Sequence, residues 1–296
     1  MIYTVLQKIF SVIISILVLF SSLSSGGGTQ PLDEKAVRVH YADGAHTYYD
    51  MFIPENPARS EEVILLIHGG AWMMGDQTMF ERNAKEATEK CKCVSVTVDY
   101  STLTEGANAL DMENEILLAV QSVKDELASR GIRAKRMAVV GHSAGAHLAL
   151  LYSYKHYTDS PIDIAFVMAN SAPSDFFDAD GKGNTTLEQS RYLLTSFLAG
   201  QPVLPKFIDK AQDRINEISP INYVSPSVPP TFLVHGDADE IVPYSNSVNL
   251  YNKLKENHVK CEFLTYPNGD HFLSNDPESD YKRADYFMKF AELYLY

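Results

Sequence analysis

Residues 136–157 read RMAVVGHSAGAHLALLYSYKHY, and the reading of this stretch decides the fold. Its first six residues are an apolar run of strand length; from Ala144 onward it is rich in Ala and Leu, which favour a helix. Between the two lies Gly141-His142-Ser143-Ala144-Gly145. A strand that turns at once into a helix makes a tight, strained corner, and small residues beside the central Ser let it close. The corner lifts the Ser143 hydroxyl above the sheet at a helix N-terminus, where free N–H groups and the helix dipole favour developing negative charge. Ser143 is therefore a candidate nucleophile.

The same alternation extends in both directions. AVRVHY (36–41) and TYYDMFI (47–53) flank ADGAH and read as an antiparallel hairpin. VILLIH (63–68), CVSVTVDY (93–100), IDIAFVMAN (162–170), TFLVHG (231–236) and CEFLTYP (261–267) read as strands, and the continuous apolar runs among them suit burial on both faces. Helical stretches are expected at about 78–90, 109–130, 245–257 and 278–295. This predicts an α/β fold, a mostly parallel sheet with helices on both faces. Residues 174–222 break the rhythm. They carry helical stretches at about 186–199 and 205–217 and a flexible GKGN at 181–184, and we expect them to form a helical cap insertion over the site.

The N-terminus stands apart. Ile9–Phe20 reads IFSVIISILVLF, Lys8 precedes it, and no acidic residue occurs before Asp33. The run has the length of a signal-peptide core and is short for a bilayer span. The expected organisation is a signal peptide (or N-terminal anchor) over 1–24, a linker over 25–36 and a catalytic domain over 37–296. Export follows, secreted or periplasmic, with membrane anchoring through residues 9–20 as the alternative. The formal net charge of −13 argues against a nucleic-acid partner, which needs a basic face. The three cysteines, Cys91, Cys93 and Cys261, form neither a disulfide framework nor a zinc-like spacing, so buried thiols beside strands are expected and no metal.

A serine hydroxyl needs a base to take its proton. Where such an elbow occurs, the partners follow in the order Ser, Asp or Glu, His. Of nine histidines only His258 and His271 lie beyond the strand 231–236. His258 precedes a strand, whereas His271 follows the C-terminal end of one, where open α/β sheets carry their sites. His271 is thus the expected general base. For the acid, Asp237, Asp239 and Glu240 compete after strand 231–236, with Asp175 a more distant option; the losing Asp237 would shape its loop through side-chain bonds to backbone. His68-Gly69-Gly70-Ala71-Trp72 follows strand 63–68 directly. Main-chain N–H groups of this turn, with that of Ala144, can form an oxyanion hole. His68 is expected to be structural, His142 and His147 to pack beside the elbow. Trp72 is a candidate for the acyl pocket, with core packing as the competing role.

HGGAW, GHSAGAHLA, HGDADEIVP and NGDHF together resemble the HGGxW-type α/β-hydrolase esterases, a set that includes the feruloyl-esterase-like "BD-FAE" group, hormone-sensitive-lipase-like esterases and kynurenine formamidases. The resemblance runs from about residue 60 to 290. It implies an eight-stranded α/β-hydrolase sheet, Asp239 as the acid, and Gly70 and Ala71 as oxyanion donors alongside Ala144. In the implied sheet the strands of Cys93 and Cys261 lie far apart. Asp99-Tyr100-Ser101 replaces the Tyr-Arg usual after the fourth strand of hormone-sensitive-lipase-like members, which places the chain nearer the feruloyl and acetyl esterases. The function expected is cofactor-free hydrolysis of carboxylic esters, small acyl groups on carbohydrate or other small alcohols. The alternatives are amide hydrolysis and an inactive binding protein on the same fold.

Overall fold

The computed structural model describes residues 36–55, 61–176, 186–274 and 276–296. The signal or anchor segment 1–24, most of the linker and the GKGN stretch lie outside the described residues.

Eight strands form one sheet: β1 Ala36–His40, β2 Tyr48–Phe52, β3 Glu62–Ile67, β4 Val94–Val98, β5 Arg136–His142, β6 Asp163–Asn170, β7 Thr231–Gly236 and β8 Cys261–Tyr266. Their spatial order is β1-β2-β4-β3-β5-β6-β7-β8. The β1–β2 hairpin is antiparallel and β2 also pairs antiparallel with β4; every pair from β4 to β8 is parallel. This is the α/β-hydrolase arrangement. The apolar runs are explained by position, since every residue of β3, β4 and β7 is buried between helical layers. The parallel strands therefore end on one common edge, where Ser143, Asp239 and His271 follow β5, β7 and β8.

Among the described residues there are seven α-helices: α1 Glu81–Cys91, α2 Ala109–Ser129, α3 Ala144–Lys155, α4 Thr186–Leu198, α5 Gln212–Ile218, α6 Ser245–Glu256 and α7 Pro277–Phe290. One face of the sheet packs residues of α1 and α7, such as Ala84 and Phe290; the other packs α2, α3 and α6, through Ile116, Leu148 and Leu250. α3 is buried almost all round because it runs over the sheet centre beneath other helices. Among the described residues no helix is long and apolar enough to cross a membrane.

Boundaries depart from expectation where capping chemistry decides them. The helix expected from 78 begins as a 3-10 turn, Gln77–Phe80, because the Asp76 carboxylate accepts the Thr78 N–H. The stretch expected at 205–217 splits into a 3-10 segment, Pro205–Ala211, kinked at Phe207, followed by α5. The C-terminal helix ends at Phe290 and gives way to a π-helical turn, Ala291–Leu295. Cys91 and Cys93 are buried, but Cys261 is only half-buried: it opens the edge strand β8, which has a neighbour on one side only.

The insertion 174–222 is tied in at its ends. Ile221 N–H donates to Ser174 O at 3.1 Å, so the segment leaves and returns at one point. Asn246 on α6 accepts the N–H groups of Ser174 and Asp175, each at 2.9 Å. Leu198, Ile215 and Ile218 are fully buried within the main core.

Candidate active site

Ser143 stands alone between β5 and α3 with φ 55° and ψ −123°. A non-glycine residue held there stores on the order of 1–3 kcal/mol of strain, and the surroundings must hold it. They do so by two bonds. Ser143 N–H donates to Asn170 O at 2.9 Å, and the Asn170 amide donates to Gly141 O at 3.0 Å, tying the corner to β6. The small flanking residues have a direct cause. A Cβ on Gly145 would lie 2.1 Å from Ile67 O, and one on Gly69 would lie 2.9 Å from His142 O and 3.3 Å from Ser143 Cβ. The end of β3, the HGGAW turn and the elbow are thus packed backbone to backbone.

His271 reaches Ser143 from the loop after β8. Its Nε2 is 2.9 Å from Ser143 Oγ and its Nδ1 is 2.8 Å from Asp239 Oδ2. A carboxylate only accepts, so Nδ1 carries the proton and Nε2 is the nitrogen able to accept from the serine hydroxyl. The ring is 2 % exposed and its backbone is held as well: His271 O accepts from Ser171 Oγ and from His142 Nε2, both at 3.0 Å. Burial, and then the neighbouring His271, push the His142 imidazole down to about 4, which keeps it neutral.

The Asp239 carboxylate is buried, and it has four donors: His271, His235 Nε2 at 3.0 Å, and the N–H groups of Ile241 and Val242 at 2.8 and 2.9 Å. Burial alone would make it a weaker acid; the hydrogen bonds from His235 and His271, the charge of His271 and the Val242 N–H outweigh it and hold the group well below the usual carboxylate range. The D-E-I-V spacing thus folds the loop around its own Asp. Of the competing acids, Asp237 accepts from Asn268 N–H at 2.6 Å, the loop-shaping role expected of it. Glu240 is exposed, and the backbone N–H of Asp175 is bound to Asn246. His258 is exposed at the opposite end of β8.

Ala71 and Trp72 both lie in the left-handed region, at φ 53° and 58°, and Gly70 O accepts from Met73 and Met74 N–H at 3.0 and 3.1 Å. The turn is therefore a closed loop of backbone. Among the described residues no backbone carbonyl outside regular elements receives the N–H of Gly70, Ala71 or Ala144. His68 is fully buried, with Nε2 3.1 Å from Asp99 Oδ1 and its ring stacked on Tyr100. Trp72 is 6 % exposed, and its Nε1–H donates to His147 Nδ1 at 3.1 Å. The other His147 nitrogen lies 2.7 Å from Ile218 O, so it bears the proton. Burial lowers His147 to about 4 against that bond, consistent with a neutral ring accepting from Trp72. Phe176 packs on both rings, at 6.0 and 5.1 Å between centroids. The ends of the insertion thereby meet Trp72 and the residue one helical turn beyond Ser143. Trp72 is packed in the main core, with its hydrogen-bonding edge taken by His147.

His235, Phe176, Asn170 and Ser171 escaped sequence reading. His235 was legible only as a strand residue; its signal is the four-residue spacing to Asp239 across a loop. The others act through folded neighbours.

The BD-FAE family model matches residues 49–254, more than two thirds of the chain, a span that holds the HGGAW turn, Ser143 and Asp239. The chain belongs to the BD-FAE family. Curated relatives are distant. A probable isoprenylcysteine alpha-carbonyl methylesterase ICME of Oryza sativa subsp. japonica is 23% identical over 79% of this chain and 57% of its own length. Esterase LipQ of Mycobacterium tuberculosis is 24% identical over 73% of this chain and 51% of its own. The chain thus spans little more than half the length of these relatives. Among solved structures, a truncated carbohydrate esterase from gut microbiota aligns with TM-score 0.72 at 19% identity, covering 88% of this chain and 99% of that one. Esterase B from Lactobacillus rhamnosis aligns with TM-score 0.77 at 16% identity, covering 98% and 95%. At such identities the structures speak for the BD-FAE chain's fold.

Proposed function

We propose that this BD-FAE chain is a carboxylic ester hydrolase working through Ser143, His271 and Asp239. One observation carries the proposal: Ser143 Oγ, strained above the sheet, is 2.9 Å from a histidine nitrogen whose other nitrogen is 2.8 Å from a buried carboxylate. Ser143 Oγ attacks the ester carbonyl carbon while His271 Nε2 takes its proton. The carbonyl oxygen becomes an oxyanion and is received by the N–H groups of Gly70, Ala71 and Ala144. His271 then protonates the leaving alcohol, and the C–O bond to it breaks. Water attacks the acyl-enzyme with the same proton traffic and releases the acid and free Ser143. Asp239 stays ionised throughout, orients the imidazole and stabilises its protonated form. Apart from that water, these steps use side chains and backbone at the site.

Small acyl groups on carbohydrate or other small alcohols are the proposed substrates. The names of relatives and structural neighbours support ester chemistry, and a carbohydrate esterase among them supports a sugar-borne acyl group. Phe176, Trp72 and His147 form an aromatic cluster whose His147 lies one helical turn beyond Ser143, and we read it as the closed end of a short acyl pocket. Export, secreted or periplasmic, is proposed from the apolar run 9–20.

The test is a fluorophosphonate probe with p-nitrophenyl acetate turnover, on the full chain and on Ser143→Ala. Wild type is expected to label and turn over. Ser143→Ala is expected to lose labelling and at least about 10³-fold in kcat, in line with loss of a triad nucleophile. A wild type that does neither overturns the esterase reading, and an active Ser143→Ala overturns the nucleophile. A panel of acetylated sugars, feruloyl esters and formyl amides, read as kcat/KM, decides substrate class; preference for the amides would favour amide hydrolysis.

A further inference from the structure

Hydrogen bonds behind the Gly69–Gly70 peptide run without a break to the protein surface. His68 Nδ1 lies 2.7 Å from Gly69 O, and His68 Nε2 lies 3.1 Å from Asp99 Oδ1. Both ring nitrogens face acceptors. Asp99, fully buried at the end of β4, also accepts from its neighbour Tyr100 N–H at 2.9 Å. Its second oxygen is 2.9 Å from Nδ1 of His46, on the β1–β2 connection. His46 is one-third exposed, and its Nε2 lies 3.4 Å from Glu105 Oε1. Glu105 Oε2 in turn accepts the Thr102 N–H at 2.9 Å. His46 thus bridges the two ends of the loop from Asp99 to Glu105.

That loop supports the HGGAW turn at two places. Asp99 acts through His68 on Gly69 O, and Leu103 N–H donates to Trp72 O at 2.8 Å. The first support bears directly on the oxyanion. Gly69 O and Gly70 N–H belong to one planar trans peptide and point in opposite directions, so fixing the oxygen aims the N–H. An oxyanion donor is worth most when it is already aimed where charge develops.

We propose that His46 is a positioning residue for the oxyanion site. Through Asp99 and His68 it orients the Gly69–Gly70 peptide, and through Glu105 it steadies the loop that holds Trp72 O. The inference rests on the esterase reading above and on Gly70 N–H as a donor. The charges facing His46 favour its donor role. Burial works against a proton on the ring, but the hydrogen bond and charge of Asp99, with Glu105 and Asp76 behind, raise its basicity overall.

The experiment compares full-length wild type, His46→Phe and His46→Asn. Active sites are titrated with fluorophosphonate, p-nitrophenyl acetate gives kcat and KM per titrated site, and phenylboronic acid, which forms a tetrahedral adduct on a reactive serine, gives a Ki. His46→Phe removes the donor; His46→Asn restores an N–H near the position of Nδ1. A misaimed donor forfeits part of the roughly 10²–10³-fold that deletion of one costs. His46→Phe is therefore expected to lower kcat about tenfold, leave KM within twofold, and weaken the boronate by about the kcat factor. His46→Asn is expected to recover most of both. A purely structural role would reduce the titrated fraction and Tm without touching kcat or Ki per site. His46→Phe within twofold of wild type in both overturns the inference and leaves the esterase reading standing. A wild type that neither labels nor turns over overturns that reading, and the inference falls with it.

Discussion

Asp239 and Asp99 each lie just past the end of a parallel strand, each carboxylate is buried, and each has a histidine on either side. In one array, His235–Asp239–His271, the far nitrogen of the inner histidine meets the Ser143 hydroxyl. In the other, His46–Asp99–His68, the corresponding nitrogen meets a backbone carbonyl. The same three residue types thus have different consequences. A hydroxyl can give up its proton, and the first array can move charge. A carbonyl cannot, so the second array can only hold a peptide in place. The difference lies in what the inner ring touches.

The sharpest way to break the comparison is to neutralise each carboxylate in turn. Asp239→Asn is expected to lower kcat by about 10⁴-fold, because an amide beside His271 Nδ1 favours the wrong tautomer. Asp99→Asn keeps an oxygen for His68 or His46 and no reacting proton passes through it. Its expected loss is about 10–100-fold, below deletion of an oxyanion donor. Steady-state kinetics per titrated site measure both, and equal losses would erase the distinction.

These arrays were unequally legible in the sequence. The inner residues of the first follow from chain order: an elbow, a strand end and the last histidine beyond it leave His271, while Asp239 stood out from Asp237, Glu240 and the more distant Asp175 partly through family resemblance. Parallel strands place such residues on one edge whatever the intervening lengths, so strand reading alone brings Ser143 and His271 together. The second array was invisible. His46 sits in a hairpin connection with no pattern of its own, and its link to Asp99 depends on the antiparallel pairing of β2 with β4. Phe176 and His147 were equally hidden as partners, because an insertion outside the strand–helix alternation has no sheet register from which to place its ends. Helix limits moved where a single cap intervened, as at Asp76.

Acid comes next, and it acts on the buried groups around these arrays. Asp239 is held charged far into acid, so its contribution to stability is present above about pH 4 and fades only as pH falls toward its low folded value. Two neutral imidazoles lose stability earlier, His142 against His271 and His147 against Trp72. His147 titrates at about 4 when folded against 6.5 ordinarily, so the unfolded chain binds its proton first, and stability falls as pH drops from about 6.5 to 4. At about 1.4 kcal/mol per pH unit this one ring accounts for roughly 3 kcal/mol. His147→Gln can accept from Trp72 and donate to Ile218 O without titrating. Urea denaturation at pH 7 and pH 4.5 is expected to show a smaller acid loss in the variant, and an unchanged loss would place the sensitivity elsewhere.

The smallest expected effects come from the outer ends of the arrays, where solvent decides the outcome. His235 is fully buried and its Nδ1 is 2.7 Å from Ser247 Oγ, itself buried. Because His235 Nε2 faces the Asp239 carboxylate and Val242 O, Nδ1 is left to accept from the serine hydroxyl. Ser247→Ala strands that nitrogen in a dry site, at a cost of about 1–3 kcal/mol. The outer contact of His46 is different: Glu105 lies 3.4 Å away, and both side chains are about one-third exposed. Water can replace either partner, so Glu105→Gln is expected to cost at most about 0.5 kcal/mol through that contact. Chemical denaturation at pH 7 measures both. A Glu105→Gln loss as large as that of Ser247→Ala would mean that the outer end of the oxyanion array is shielded from water in the folded protein. His46 would then be anchored as rigidly as His235, and its coupling to the Gly69–Gly70 peptide should be correspondingly stronger than tenfold in kcat.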